Sequence, residues 1–120
     1  MRNTQSLKKN SQFRQTYKNG KSLANRLLVL YAAKSGGAGN RLGVTVSKKV
    51  GNSVVRHRVT RLVKESYRVH EGLFTLGYDL VFIARGGAKT ARYAEMEQSV
   101  LYLMKKHRLL RTAAAEETHG

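Results

Sequence analysis

Residues 41–68, RLGVTVSKKVGNSVVRHRVTRLVKESYR, constrain the fold of this chain more than any other stretch. Apolar residues alternate with small or polar ones over residues 42–47, which predicts a strand with one buried face. The basic, glycine-containing sequence KKVGN then breaks the strand, and Asn52 or Ser53 is suited to cap a following helix. The chain must therefore pass from a strand, through a tight basic turn, into a helix.

The predicted helix has an apolar face and a cationic face on opposite sides, at roughly 100° per residue. Glu65 is the only acid in the segment, whereas an ordinary surface helix interleaves Glu with Lys. A solvated charged face is the alternative interpretation, but the missing acids favour a surface that binds a polyanion. The apolar face comprises Val55, Val59, Leu62, Val63, Ser66 and Val69; the cationic face comprises His57, Arg61, Lys64 and Arg68, with Arg56 and Arg58 on the flanks.

The net charge points to the same kind of partner. The 120 residues include 23 Lys and Arg against 7 Asp and Glu, a formal charge of +16. No acid precedes Glu65, whereas 15 of the 23 basic residues do. Such a field attracts polyanions, and nucleic acid is the leading candidate. A membrane surface is the weaker alternative, because the chain has no Trp and no long basic amphipathic helix with bulky aromatic anchors.

The composition also restricts the class of protein. The chain has no Cys, which excludes disulfides and thiolate metal sites. It has no apolar stretch long enough to span a bilayer, and its polar start does not resemble a signal peptide. We therefore expect a soluble cytoplasmic protein with a single domain over residues 1–120, an ordered core at about 7–111 and a tail over 112–120.

The residues before the central basic segment predict one helix and one extended stretch. The first seven residues are expected to be a loose lead-in, followed by a helix that Asn10 or Ser11 caps and that ends near Asn19. Residues 22–33 predict a long β-like stretch with a bend or bulge at Arg26. A glycine-rich hairpin loop, SGGAGN, should then lead into the 42–47 strand.

The residues after the basic helix predict one strand and one helix. The apolar run LVFIA within residues 78–85 is typical of a buried central strand. A last helix should begin at Thr90 or Arg92, with His107 half-buried on its apolar stripe. The order helix, two or three strands, helix, strand, helix predicts an α+β fold: a two-layer sandwich with helices on a small mixed or antiparallel sheet.

Catalytic groups are poorly represented. The seven acids form no convincing carboxylate pair, and the four His residues lack metal-ligand spacing, so we predict neither catalytic residues nor a metal site. A standalone ribonuclease that uses His57, which lies between two arginines, is the less favoured alternative.

Aromatic and cationic side chains instead suggest RNA binding. Phe13 and Tyr17 lie one turn apart on the first helix, and Tyr31 on the sheet would extend them into an aromatic floor. Their spacing alone favours a structural role, in which the rings fix the helix to the sheet. Rings beside cations also stack on unpaired bases, and fixed cations suit the backbone of a folded RNA.

The sequence resembles a known family. GNSVVRHRVTRLVKE is similar to the signature of the protein subunit of bacterial ribonuclease P, whose central triplet is usually Arg-Asn-Arg and here has His57 in the middle. Phe13 and Tyr17, the ANR at residues 24–26, RLGVTVSKKVGN and YDLVFIAR also match, so the resemblance covers roughly residues 7–110.

The resemblance implies a function, partners and a site. In this family the RNA subunit carries the active site, needs Mg²⁺ and cleaves the 5′ leader from precursor tRNA; the protein is a monomeric subunit that binds the leader and strengthens Mg²⁺ binding. It also implies a left-handed crossover between the 42–47 and 78–85 strands. A ribosomal or general RNA-binding protein is the second alternative. By position, the leader-cleft residues would be Phe13, Tyr17 and Tyr31, and the residues facing the catalytic RNA would be Lys48, Lys49, Asn52, Arg56, His57, Arg58, Arg61, Lys64 and Arg68.

Overall fold

The computed structural model describes residues 1–111, and the predicted tail lies outside them. Its three α-helices and five-stranded mixed sheet confirm the predicted α+β class. Within residues 1–111 no helix is long and apolar enough to cross a bilayer. The elements are β1 (Thr4–Ser6), α1 (Asn10–Asn19), β2 (Lys21–Ala24), β3 (Leu28–Lys34), β4 (Asn40–Thr45), α2 (Ser53–Val69), β5 (Tyr78–Ala84) and α3 (Tyr93–Lys106), with short 3₁₀ turns at Glu71–Leu73 and Gly86–Thr90.

The strand order is β1-β4-β5-β3-β2, which places β5 in the centre as predicted. β5 pairs in parallel with β4 and antiparallel with β3. The predicted hairpin between β3 and β4 is therefore wrong, because β5 lies between the two strands. The chain instead leaves β4 through α2 and returns along β5, which is the crossover that the resemblance implies; its left hand stays a prediction.

The predicted long stretch over residues 22–33 is a hairpin of two strands, β2 and β3. The side-chain oxygen of Asn25 accepts hydrogen bonds from the backbone N–H of Leu27 (3.1 Å) and Leu28 (3.0 Å). This local bonding turns the chain back on itself, as Asn side chains commonly do in turns. The predicted bend at Arg26 is thus a complete chain reversal.

Helices cover both faces of the sheet. The main core lies between one face and helices α2 and α3. On the opposite face α1 packs over β3, β4 and β5, where Tyr17 meets Tyr31 and Phe13 lies against Gly43. The main core includes Leu28, Leu30, Leu80 and Phe82 from the sheet, Val59, Val63 and Tyr67 from α2, and Met96, Val100, Leu103 and Met104 from α3.

The predicted apolar face of α2 is correct except in its last turn. Val59, Val63 and Ser66 are buried, but Val69 is half-exposed and Tyr67 is buried in its place. The Tyr67 hydroxyl lies 2.9 Å from the Thr4 hydroxyl and accepts a hydrogen bond from the Asn40 side-chain nitrogen at 3.1 Å. The end of α2 therefore faces β1 and β4, which moves the buried side of this turn from Val69 to Tyr67.

The N-terminal segment is an ordered strand, so the prediction of a loose lead-in is wrong. β1 pairs in parallel with β4, and Leu7 after it is buried. The carboxylate of Glu71 accepts hydrogen bonds from the backbone N–H of Arg2 (3.0 Å) and Asn3 (3.2 Å). Burial alone would raise the pKa of Glu71, but hydrogen bonds from Thr4 and these two N–H groups outweigh it and lower the pKa.

Replacing Glu71 by Gln should lower the free energy of unfolding by about 1 kcal/mol at pH 7. Because the pKa is lowered in the fold, the carboxylate contributes its full stabilisation above its unfolded pKa and loses it as the pH falls through the folded value. Urea denaturation at pH 7 and pH 3 measures the free energy of unfolding of the variant and of the unmodified protein. We expect the difference between the two proteins to be smaller at pH 3. Glu65→Gln is the control, since Glu65 bonds only within α2. An equal loss at both pH values would contradict a role for the charge.

Candidate nucleic-acid interface

The turn between β4 and α2 presents two lysines to solvent. Val50 is 4 % exposed and fixes the turn to the core, while Lys48 and Lys49 are exposed. The side-chain oxygen of Asn52 accepts a hydrogen bond from the Val55 N–H at 3.0 Å, which confirms Asn52 as the cap of α2. Asn52 thus sets the direction in which the helix leaves the turn, and any contact between Asn52 and RNA is a prediction.

The basic side chains on the outward face of α2 differ in whether they are bonded to other residues of the fold. The side chains of His57, Arg61 and Lys64 are exposed and form no hydrogen bond or ion pair with another residue in the 1–111 range. Arg68 differs, because its Nε donates to the Glu65 carboxylate at 3.0 Å and its charge is compensated. The uncompensated positive charge of this face is therefore carried by Arg61 and Lys64.

Arg56 lies on the flank of α2 that faces β4, beside a shallow cavity of about 330 Å³. Its Nε atom is buried and has no hydrogen-bond partner among the residues that the structure describes. A buried donor of a charged group costs free energy when it stays unpaired. The cavity is lined by Val44, Val46, Ser53, Arg56, His57 and Thr60.

Arg58 lies on the other flank and has a structural contact that the sequence did not indicate. Its guanidinium donates to the backbone carbonyl of Lys89 at 3.2 Å and to that of Ala91. These bonds tie α2 to the turn that precedes α3. The two arginines of the triplet are therefore not equivalent: Arg56 has an unpaired donor, and Arg58 holds the fold.

Arg58→Ala should lower the free energy of unfolding by about 1–2 kcal/mol, because two carbonyls lose a charged donor. Arg56→Ala, with no such bond to lose, should change it by less than about 0.5 kcal/mol. Urea denaturation of both variants measures the difference. Arg58→Lys, which keeps the charge but not the forked geometry, should fall between them. Equal stability of the two alanine variants would show that the Arg58 contacts do not matter.

The three predicted cleft residues come together on the opposite face of the sheet. The rings of Tyr17 and Tyr31 pack edge to face, with centroids 5.0 Å apart and planes at 72°. Phe13 lies so close to β4 that a Cβ atom on Gly43 would be 2.6 Å from its ring. All three rings are half-buried, so they fix α1 to the sheet and still leave apolar surface exposed.

The aromatic cleft and the basic helix meet at β4. Gly43 lies beneath Phe13 on one side of this strand, and its neighbour Val44 lines the cavity beside Arg56 and His57 on the other. Gly43 was missed by sequence reasoning, although a glycine at an alternating strand position is a signal for close approach of another group. A single RNA strand that crosses the end of β4 could contact both surfaces.

The acids that the structure describes do not oppose an anionic partner. Each of the five has a bonded partner within the fold. Asp79, for example, forms a two-pronged pair with Arg41, at 2.7 Å to Nε and 2.6 Å to Nη2, and this bonding raises the pKa of Arg41. The other pairings are Glu65 with Arg68, Glu71 with the N–H groups of Arg2 and Asn3, Glu95 with Arg26, and Glu97 with His70.

The histidines of residues 1–111 are dispersed. His107 is half-buried as predicted; its Nε2 lies 2.9 Å from the Leu30 carbonyl oxygen, and burial lowers its pKa. His70 pairs with Glu97 at 2.9 Å, and His57 is exposed. Within these residues no three His, Asp or Glu side chains lie close enough to form a metal site.

Comparison with known proteins agrees with this geometry. The family described as Ribonuclease P matches residues 1–108. This chain belongs to the ribonuclease P protein family. It is 50% identical over 110 residues to the ribonuclease P protein component of Alkaliphilus metalliredigens, covering 92% of this chain and 99% of that protein. It is 49% identical over 107 residues to that of Lachnoclostridium phytofermentans, covering 89% and 92%.

Solved ribonuclease P proteins have the same fold. The Staphylococcus aureus protein superimposes with a TM-score of 0.80 at 35% identity, covering 87% of this chain and 95% of that one. The Thermotoga maritima protein gives 0.79 at 29% identity, covering 85% and 96%. The chain is therefore a protein subunit of the endoribonuclease that removes the 5′ leader of tRNA, and it works with an RNA partner in a ribonucleoprotein.

Proposed function

We propose that the two surfaces divide the RNA ligands of ribonuclease P between them. The aromatic cleft formed by Phe13, Tyr17 and Tyr31 binds the single-stranded 5′ leader of precursor tRNA. The outward face of α2, with the Lys48-Lys49 turn, binds the catalytic RNA near the cleavage site. Their meeting at β4 supports this division, because the leader is joined to the tRNA at the bond that the catalytic RNA cleaves.

The close contact between the Phe13 ring and Gly43 is the observation that best supports the proposed leader site. The glycine lets α1 approach the sheet closely, and the ring is held in place while part of its surface stays exposed. Base stacking on such a ring tolerates any sequence, since every base has a π-face. A leader site must accept many sequences, and stacking on aromatic rings suits that task.

The catalytic RNA is proposed to carry the active site and the Mg²⁺ ions. Arg61 and Lys64 supply charge that is not compensated within the described part of the chain, which suits phosphate neutralisation on a folded RNA. By screening phosphates that repel one another, these cations would lower the Mg²⁺ concentration that the RNA needs. His57 can donate a hydrogen bond as an amide does. We place this monomeric subunit in the cytoplasm.

Phe13→Ala should weaken binding of precursor tRNA to the holoenzyme roughly tenfold and leave binding of mature tRNA nearly unchanged, because one stacked base is lost. Filter binding with matched precursor and mature tRNA measures the ratio. Tyr102→Ala, which removes an exposed ring on α3, is the control and should not change it. Equal losses for the two tRNAs would contradict a leader cleft.

A further inference from the structure

A second cavity, of about 610 Å³, lies between the outward side of α2 and the start of α3. It is separate from the aromatic cleft, which lies on the opposite face of the sheet. Its volume is within the range of sites that hold a small organic group. It is lined by Met1, Arg58, Arg61, Leu62, Lys64, Glu65, Arg68 and Tyr93.

The lining combines an apolar floor with a cationic rim. Leu62 and the ring of Tyr93 supply the apolar surface. Arg61 and Lys64 on the rim have no partner within residues 1–111. The other charged groups are engaged, because Arg68 neutralises Glu65 and Arg58 bonds to two backbone carbonyls. The net field in the cavity is therefore positive, beside a surface on which a flat ring can stack.

Tyr93 is held in place before any ligand arrives. Its hydroxyl donates to the Glu97 carboxylate at 3.4 Å, and Glu97 is in turn fixed by His70 at 2.9 Å. Partial burial and the Glu97 carboxylate raise the pKa of Tyr93, so the hydroxyl stays a donor. Little side-chain entropy would be lost on stacking, which favours binding by this ring.

We propose that this cavity accepts one unpaired nucleotide of the catalytic RNA, with its base against Tyr93 and its phosphate beside Arg61 and Lys64. The inference rests on the proposed function of α2 as the surface that binds this RNA. The Glu65 carboxylate faces the same cavity, where it can accept a hydrogen bond from a base amino group. The contact adds base recognition to a helix that otherwise meets only phosphates.

The test uses the holoenzyme formed with a bacterial ribonuclease P RNA. Tyr93→Leu should weaken RNA affinity roughly tenfold, whereas Tyr93→Phe and the α3 control Tyr102→Leu should stay within about twofold. Probing the RNA with dimethyl sulfate and a carbodiimide, which together report on all four bases, should show one or two unpaired bases that only Tyr93→Leu leaves unprotected. Urea denaturation establishes that all three variants fold.

Unchanged base protection with Tyr93→Leu would overturn the proposal, whether or not the affinity falls, because a merely structural ring would give that result. Arg61→Ala and Lys64→Ala separate this failure from failure of the proposed function. If these two variants weaken RNA binding while Tyr93→Leu leaves base protection unchanged, then α2 binds RNA but the cavity does not hold a base. If they too have no effect, the assignment of α2 itself is wrong.

Discussion

Reversal of two charges on α2, Arg61→Glu with Lys64→Glu, should weaken binding to the catalytic RNA by on the order of 100-fold at moderate salt. Both side chains are exposed and unpaired within the described residues, so their loss removes no contact that holds the fold. The same variant should make the slope of log affinity against log salt concentration shallower by about two, because about two fewer counterions are released on binding. Filter binding over a range of salt concentrations measures both quantities.

A matched control separates a local effect from a change in net charge. Lys34→Glu with Lys105→Glu alters the charge by the same amount at exposed positions on β3 and α3. We expect a loss of less than about tenfold from the control, since only the long-range field changes. Comparable losses in the two double variants would mean that α2 is not a specific interface.

Gly43→Ala should lower the free energy of unfolding by about 1–3 kcal/mol and reduce the preference for precursor over mature tRNA. The new methyl group would lie 2.6 Å from the ring of Phe13 and 3.3 Å from Cβ of Leu7, so α1 must move off the sheet. Gly72→Ala is the control, because no atom lies within 4 Å of its added Cβ. Urea denaturation and tRNA binding measure the two effects.

The cause can be isolated by removing the ring. In a Phe13→Ala background the closest contact of the added methyl group is removed, so Gly43→Ala should cost much less stability than it does in the unmodified protein. A double-mutant cycle gives this coupling directly. Additive losses of unfolding free energy would contradict the account, because they would show that Gly43 matters for a reason other than its contact with Phe13.

The sequence predicted best where the structure is local and periodic. The cap at Asn52 and the buried Val59 and Val63 depend on the spacing within one helix. The buried β5 strand follows from one continuous apolar run. The predicted flanks of α2 were also right, since Arg56 and Arg58 do point to its two sides.

The sequence predicted poorly where a distant partner decides the structure. The three residues of β1 are polar and give no strand signal; their pairing with β4 and the bonds of Glu71, about 70 residues away, order them. Tyr67 is buried rather than Val69 because Thr4 and Asn40 bind its hydroxyl. The insertion of β5 between β3 and β4 likewise depends on pairing across the sheet.

The candidate site shows the same division. Charge counting identified the cationic helix, but it could not show that Arg68 is compensated by Glu65 or that Arg58 is bonded to the turn before α3. The aromatic cleft needed both helix spacing and a fold that brings Tyr31 to Tyr17. Family resemblance supplied the role of these residues, and the structure supplied their surroundings.

Cleavage of a labelled precursor tRNA at low Mg²⁺ tests the central claim most directly. The three samples are this protein alone, a bacterial ribonuclease P RNA alone, and the two together. We expect a cut at the mature 5′ end only when both are present, because we propose that the RNA carries the chemistry and that the protein binds the leader and screens phosphate charge. Cleavage by the protein alone, or no gain over the RNA alone, would contradict that account.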